Sequence, residues 1–167
     1  IIVHVAGRAM ARECAAHWPK VADGLADAFW PGPLTMVLPR QRNVPDIVTA
    51  GGETVGLRWP SHPFIQEVIK LCGFPLAAPS ANLSNQLSPT SAAHVRAQLD
   101  GLIPLIVDGG AAQVGLESTV VDVSVTPPRL LRPGMIHEEA LLAVTGELVA
   151  GATAGVLRSP GLLQKHY

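Results

Sequence analysis

Four short clusters of polar and charged residues stand at the ends of apolar runs: Thr54 and Arg58, Ser80 and Asn82, Glu117-Ser118-Thr119, and Arg132-Pro133-Gly134. Hydroxyls, an amide and planar guanidinium forks are groups that orient a bound molecule and neutralise its charge. In Leu76-Ala77-Ala78-Pro79-Ser80-Ala81-Asn82 an apolar run reads as a buried strand. Pro79 removes a backbone donor and fixes one dihedral, so the chain leaves the sheet there with Ser80 and Asn82 aimed at a cleft. Arg58 sits where the run Val55-Gly56-Leu57 becomes a turn. It reads either as a surface arginine stacked on Trp59 or as a two-pronged clamp on a carboxylate, and the clamp is the preferred reading.

Plainer readings stand beside these. Ser80 and Asn82 can close an Asx-type turn, Ser118 can be a strand-start hydroxyl bonded to backbone, and Arg132 can be a surface charge before a Pro-Gly turn. His4, among β-branched neighbours, reads from its surroundings as a core or edge histidine. His17, His62, His94 and His137 have no partners at metal-ligand spacing. No HExxH, paired-acid motif or GxxxxGK[ST] loop occurs, so the familiar hydrolase and kinase readings lose support.

Elements must hold these clusters in place. Ile1-Ile2-Val3-His4-Val5 reads as strand. Apolar positions at helical spacing over residues 10–29, broken at Pro19, predict two short helices that end at Trp30-Pro31-Gly32-Pro33. Strands are expected at 34–38, 54–58, 76–78, 105–107, 119–123 and 129–131, with the last two paired around a Pro-Pro turn. A helix capped by Ser61, with Pro63 in its first turn, is expected to present Phe64, Ile65, Val68, Ile69 and Leu71 on an apolar face and to stop at Gly73. Further helices are expected from a Thr90 cap to about residue 99 and over 138–145, and residues 40–52 read as a polar loop. The alternation predicts an α/β fold, a three-layer open twisted mixed β-sheet flanked by helices, with ligands gathering at strand ends.

The 167 residues fit one domain that can bury a core without disulfides or metal. Hydrophobic residues make up 48% and charged ones 15%, and the net charge is −1, which argues against wholesale binding of a phosphate backbone. Nine arginines against three lysines suit discrete carboxylate or phosphate groups. Cys14 and Cys72 belong to no CxxC or Cys/His cluster, the pattern of a reduced, cytosolic chain, and no segment has the apolar length of a membrane span. The strand-like start and the Gly/Ala-rich stretch from residue 150 read as a fragment cut at both ends.

Taken in order, Ile2-Val3-His4-Val5, Trp30-Pro31-Gly32-Pro33-Leu34-Thr35, Val55-Gly56-Leu57-Arg58-Trp59-Pro60, Ala78-Pro79-Ser80-Ala81-Asn82, Glu117-Ser118-Thr119-Val120 and Leu131-Arg132-Pro133-Gly134 resemble the YrdC-like family of threonylcarbamoyl-AMP synthases. These begin the t6A modification of transfer RNA. The ending Ser159-Pro160-Gly161 to His166-Tyr167 is similar to the interdomain linker of the long, two-domain form, which makes 1–149 the catalytic domain, N-terminally incomplete, and 150–167 the start of the linker. The resemblance implies condensation of L-threonine, bicarbonate and ATP to threonylcarbamoyl-AMP and pyrophosphate in the cytoplasm, with Mg2+ on the phosphates, a downstream t6A transfer machinery as partner, and neither membrane nor strong direct nucleic-acid binding. It further implies a threonine pocket of His4, Arg58, the Ala78 backbone and Ser118. Thr54, Ser80, Asn82, Ser88 and Arg132 would meet the nucleotide, with Tyr167 over it as part of a lid. The family's PTET-like segment and Lys-x-Arg signature, which precede the His4 strand, have no counterpart here, so the grip on the phosphates is expected to be weaker. YrdC-like carbamoyltransferases of hydrogenase maturation and a non-catalytic RNA-binding module are the alternative readings.

Overall fold

The run that starts at Leu34 is apolar at almost every position, as a strand buried on both faces must be. In a computed structural model describing residues 1–84, 86–113 and 115–151 it becomes the central strand of one sheet. The elements in chain order are β1 (Ile2–His4), α1 (Arg8–Cys14), α2 (Lys20–Phe29), β2 (Leu34–Pro39), α3 (Asp46–Thr49), β3 (Thr54–Arg58), α4 (Pro63–Cys72), β4 (Leu76–Ala78), α5 (Ala92–Leu99), β5 (Thr119–Asp122), β6 (Arg129–Arg132), α6 (Glu138–Thr145) and β7 (Val149–Ala150). The seven strands lie in the order β4-β1-β3-β2-β5-β6-β7. Pairs β1/β3, β2/β5 and β6/β7 are parallel, whereas β1/β4, β2/β3 and β5/β6 are antiparallel. The sheet is therefore mixed and flanked by helices, as expected.

Alternation along the strands divides the sheet into two faces. Val3, Val55, Leu57, Met36, Leu38 and Val121 point into the main core, where Ala11 of α1, Leu25 of α2 and Leu141 of α6 meet them. The other face carries a small cluster, Val37, Val120 and Leu131. It also carries, by register, the polar residues described below.

Local chemistry explains several boundaries and corrects others. Pro63 takes the first helical position of α4, where its missing N–H costs nothing. The cap is accordingly the residue before it: His62 Nδ1, not Ser61, accepts from the Phe64 amide at 3.2 Å. Gly73 ends α4 at φ 72°, donating to Ile69 and Lys70 carbonyls. Ser91 rather than Thr90 caps α5, accepting from the His94 amide, while the Thr90 hydroxyl meets His94 Nδ1 at 3.3 Å.

The anticipated apolar face of α4 buries only Ile69; Phe64 is 50% and Leu71 79% exposed. Helical periodicity reports a stripe, not what covers it. β4 is an edge strand paired with β1 alone, and Ala77 and Ala78 are exposed, so the expected buried strand lies at the rim. Residues 105–107 form no strand, since a short apolar run becomes one only where a neighbour offers a ladder, and Leu105 stays exposed. Within the polar loop 40–52 a single turn, α3, is held by the Arg40–Asp46 ion pair at 2.5 Å. No helix among the described residues is long and apolar enough to cross a membrane. Tyr167 and nearly all of the expected linker lie outside the described residues.

Candidate active site

Register places the candidate residues. His4 pairs with Arg58 across β1 and β3, and Ile2 pairs with both Gly56 and Ala78. Val37 pairs with Gly56 and with Asp122, Thr35 with Val120, and Val120 with Arg132. Paired residues share a face, so His4, Thr54, Arg58, Ala78, Thr35 and Arg132 all stand opposite the main core. Ser118 joins them through its hydroxyl, 2.9 Å from Thr35 Oγ1. His4, Arg58, Thr35, Ser118 and Arg132 also crowd one end of the sheet. Thr54 stands on the same face at the other end of β3, about 13 Å away at strand rise.

One irregularity decides where Arg132 points. The β5/β6 ladder runs Asp122 with Arg129 and Val121 with Leu130, then slips so that Val120 meets Arg132. Two residues of β6 thus oppose one of β5, a β-bulge at Leu131. A regular ladder would set Arg132 against Thr119 and aim it into the main core; the bulge turns it to the polar face.

Arg58 is oriented by a turn from elsewhere in the chain. Its Nε donates to the Gly32 carbonyl at 3.1 Å, and the Gly32 amide donates to the Trp59 carbonyl at 2.8 Å. Gly32 has no room for a side chain, since a Cβ would lie 2.4 Å from the Phe29 carbonyl oxygen. Trp59 packs against the main core, across the strand from Arg58, so the stacked surface arginine is not what forms. Among the described residues no carboxylate lies within ion-pair distance of Arg58. Burial, and after it the Arg132 charge, weaken the guanidinium's hold on its proton. The half-buried fork therefore keeps charge and donor capacity that no described carboxylate offsets.

His4 is the reverse case. Burial first, and the adjacent Arg58 charge second, push its imidazole down to about 4, so it is neutral at physiological pH. A histidine whose folded value lies below the ordinary 6.5 stabilises the fold fully above pH 6.5, and that contribution fades as pH falls from 6.5 towards 4. The unliganded protein should lose at most about 3 kcal/mol through this group. His4→Asn should flatten the fall: urea midpoints of both proteins at pH 7.5 and pH 4.5 check it, and parallel falls refute the assignment.

Ser118 and Arg132 form a buried unit. Arg132 Nε and Nη2 donate to the Ser118 carbonyl at 3.0 and 2.9 Å, and Nη2 also donates to Ser118 Oγ at 2.9 Å. Nη1 meets Glu117 Oε2 at 2.7 Å. Ser88 Oγ reaches Glu117 Oε1 at 3.5 Å, the outer limit of a hydrogen bond, and so brings the loop after β4 to this edge. Asn82 donates through Nδ2 to the Leu83 and Gln86 carbonyls at 3.0 and 2.8 Å, closing the turn of the plainer reading, while its Oδ1 is buried without a hydrogen-bond partner among the described residues. The Ser80 hydroxyl is exposed and has no hydrogen-bond partner among the described residues.

Thr35, Gly32 and Glu117 were not singled out as site residues by sequence reasoning, though all three lie inside quoted motifs. Register parity with Gly56 was the available signal for Thr35; nothing in the sequence marks Glu117 as the partner of Arg132. A separate cavity of about 170 Å³, lined by Val3, Cys14, Val44 and Ala77, opens on the core side of β1 and β4. It is not part of the polar face.

The Sua5/YciO/YrdC family profile, whose description reads telomere recombination, matches residues 1–134. The chain belongs to that family. As a Sua5/YciO/YrdC domain it is 42% identical over its whole length to the threonylcarbamoyl-AMP synthase of Pyrococcus abyssi, of which it covers 51%. It is 43% identical, again over its whole length, to that of Bacillus subtilis, of which it covers 50%. The chain thus spans about half the length of these relatives. The crystal structure of P. abyssi Sua5 complexed with L-threonine aligns with a TM-score of 0.87 at 45% identity, covering 90% of this chain and 44% of that one. E. coli YciO, 23% identical over 84% of this chain and 69% of that one, aligns with a TM-score of 0.74 and shares the fold.

Proposed function

We propose that this chain carries the threonine and nucleotide face of a threonylcarbamoyl-AMP synthase. The observation that carries the proposal is Arg58: a half-buried guanidinium with no carboxylate partner among the described residues, beside a neutral His4 and on the same face as Ser118; a chain of similar fold and 45% identity is solved in complex with L-threonine. Arg58 takes the threonine carboxylate, and His4, Ser118 and the Ala78 backbone complete the pocket. Thr54, Ser80, Asn82, Ser88 and Arg132 meet the nucleotide, and the spread from Thr54 to Arg58 along β3 suits an extended ligand. Tyr167 is assigned to the nucleotide by family resemblance alone.

The threonine amine first combines with bicarbonate, losing water, to give a carbamate. A carbamate oxygen then attacks the α-phosphorus of ATP, forming the mixed anhydride as the bond to pyrophosphate breaks. Both steps need oriented reactants and neutralised charge rather than a protein nucleophile, and these residues supply orientation and charge. Magnesium would enter with the nucleotide and offset the charge of its phosphates; among the described residues no three His, Cys, Asp or Glu side chains converge to hold an ion. The product would feed t6A formation on transfer RNA in the cytoplasm.

Incubating the full-length protein with ATP, bicarbonate and labelled threonine should yield pyrophosphate and a labelled adenylate in equal amounts. Pyrophosphate without labelled adenylate, or neither product, would sink the reading.

A further inference from the structure

We propose that Glu117 is a built-in counter-ion: in the unliganded protein it occupies Arg132, and it is exchanged for a phosphate oxygen when a polyphosphate binds. The proposal rests on the reading that Arg132 meets the nucleotide phosphates.

The contacts of Arg132 described above are of two kinds. Towards the sheet, Nε and Nη2 grip the Ser118 carbonyl and hydroxyl at 2.9–3.0 Å, anchored to the start of β5. Ser118 Oγ is held in turn by Thr35 Oγ1 at 2.9 Å in a fully buried position. Towards solvent, Nη1 meets Glu117 Oε2 at 2.7 Å. The Glu117 side chain is 28% exposed, against 10% for Arg132, so it can rotate into water while the guanidinium stays seated. Its tie to Ser88 is weak, at 3.5 Å.

Electrostatics gives the carboxylate its purpose. Arg58 and Arg132 share one face, and the charge of Arg132 already bears on Arg58. Glu117 damps that repulsion while the face is empty. A phosphate arriving at Nη1 does the same with more charge and more acceptor oxygens. The carboxylate then leaves for solvent, and Ser88 is free to bond the ligand. Glu117 thereby acts through Arg132, as a positioning residue that makes the phosphate site selective for ligands able to displace a carboxylate.

Inorganic tripolyphosphate, which has neither adenine nor threonine, is the probe. Calorimetric titration of the full-length protein should show about tenfold tighter binding to Glu117→Gln than to the unaltered protein, with a steeper dependence on salt because one more cation is uncompensated. A purely structural strap predicts a lower unfolding midpoint with equal or weaker tripolyphosphate affinity and an unchanged salt slope, and that result overturns the exchange. Should Glu117→Gln fail to fold, the side-chain carboxyl signal of Glu117 can be followed by NMR in the unaltered protein. It should move on saturation with tripolyphosphate, and a static signal at saturation refutes the proposal. Adenylate formation from threonine with no gain in tripolyphosphate affinity would defeat the exchange alone. The gain without any threonyl product would defeat the synthase reading alone.

Discussion

Arg58→Ala is expected to weaken threonine binding on the order of a hundredfold while leaving ATP binding within about twofold. Losing a two-pronged, charge-assisted contact in a partly dry site costs about 3 kcal/mol, and a factor of ten corresponds to about 1.4 kcal/mol. The same change should not destabilise the fold, and that contrast is the sharper part of the result. Arg58 gives up water on burial, faces Arg132 across the site and, among the described residues, has no ion-pair partner in return. Its one side-chain hydrogen bond among the described residues, to the Gly32 carbonyl, is forfeited. Removing it should also let the His4 imidazole rise from about 4, since one of the two forces holding it down disappears. Calorimetric binding of threonine and of ATP, with urea unfolding of both proteins, tests all three. Equal losses for the two ligands would show that the clamp is misassigned, and a large fall in stability would show that Arg58 is structural.

Gly134→Ala should be among the most damaging single methyl additions at the described glycines. A Cβ there would lie 2.6 Å from the Glu117 carbonyl oxygen and the Thr119 amide nitrogen, and 2.8 Å from the Ser118 carbonyl carbon. All three are backbone atoms, which cannot swing aside as a side chain would, so the segment that opens β5 has to move. Overpacking of this kind costs about 1–3 kcal/mol. The functional loss should exceed the loss of stability, because the displaced segment carries Ser118 and Glu117 together, the seat of Arg132 and its counter-ion. Threonine and tripolyphosphate binding should both fall at least tenfold in protein that remains folded at 20 °C. Gly115→Ala is the control: its Cβ would meet only Thr90 Cγ2 at an ordinary 3.6 Å, and it should bind both ligands normally. Normal binding by Gly134→Ala would mean that this edge of the sheet yields more readily than its packing implies.

Much of the scaffold was legible because periodicity and punctuation agree. The strand at Thr54–Arg58 and the helix at Glu138–Thr145 have the bounds that alternation and flanking turn residues predict. What escaped depends on partners distant in sequence. The two residues of β7 exist only because Arg129 and Leu130 offer a ladder, and the apolar run at 105–107 stays irregular because nothing does. Leu71 and Phe64 have the right spacing for a buried stripe, yet spacing cannot say whether anything lies against it. The site residues were readable as strand-end polar groups, and their common face follows from register. The bond of Glu117 to Arg132 was not readable, because it depends on how β5 and β6 slip past each other at one point.

That slip changes what counts as a meaningful match among related chains. Every motif of the polar face can survive as a string of letters in a relative that lacks one residue between Arg129 and Arg132, and such a chain would still align, fold its sheet and pass a motif search. Its arginine would nonetheless be delivered to the wrong side of the sheet. In this chain the interval from Arg129 to Arg132 therefore decides which side of the sheet receives the guanidinium as much as the identity of the residue does.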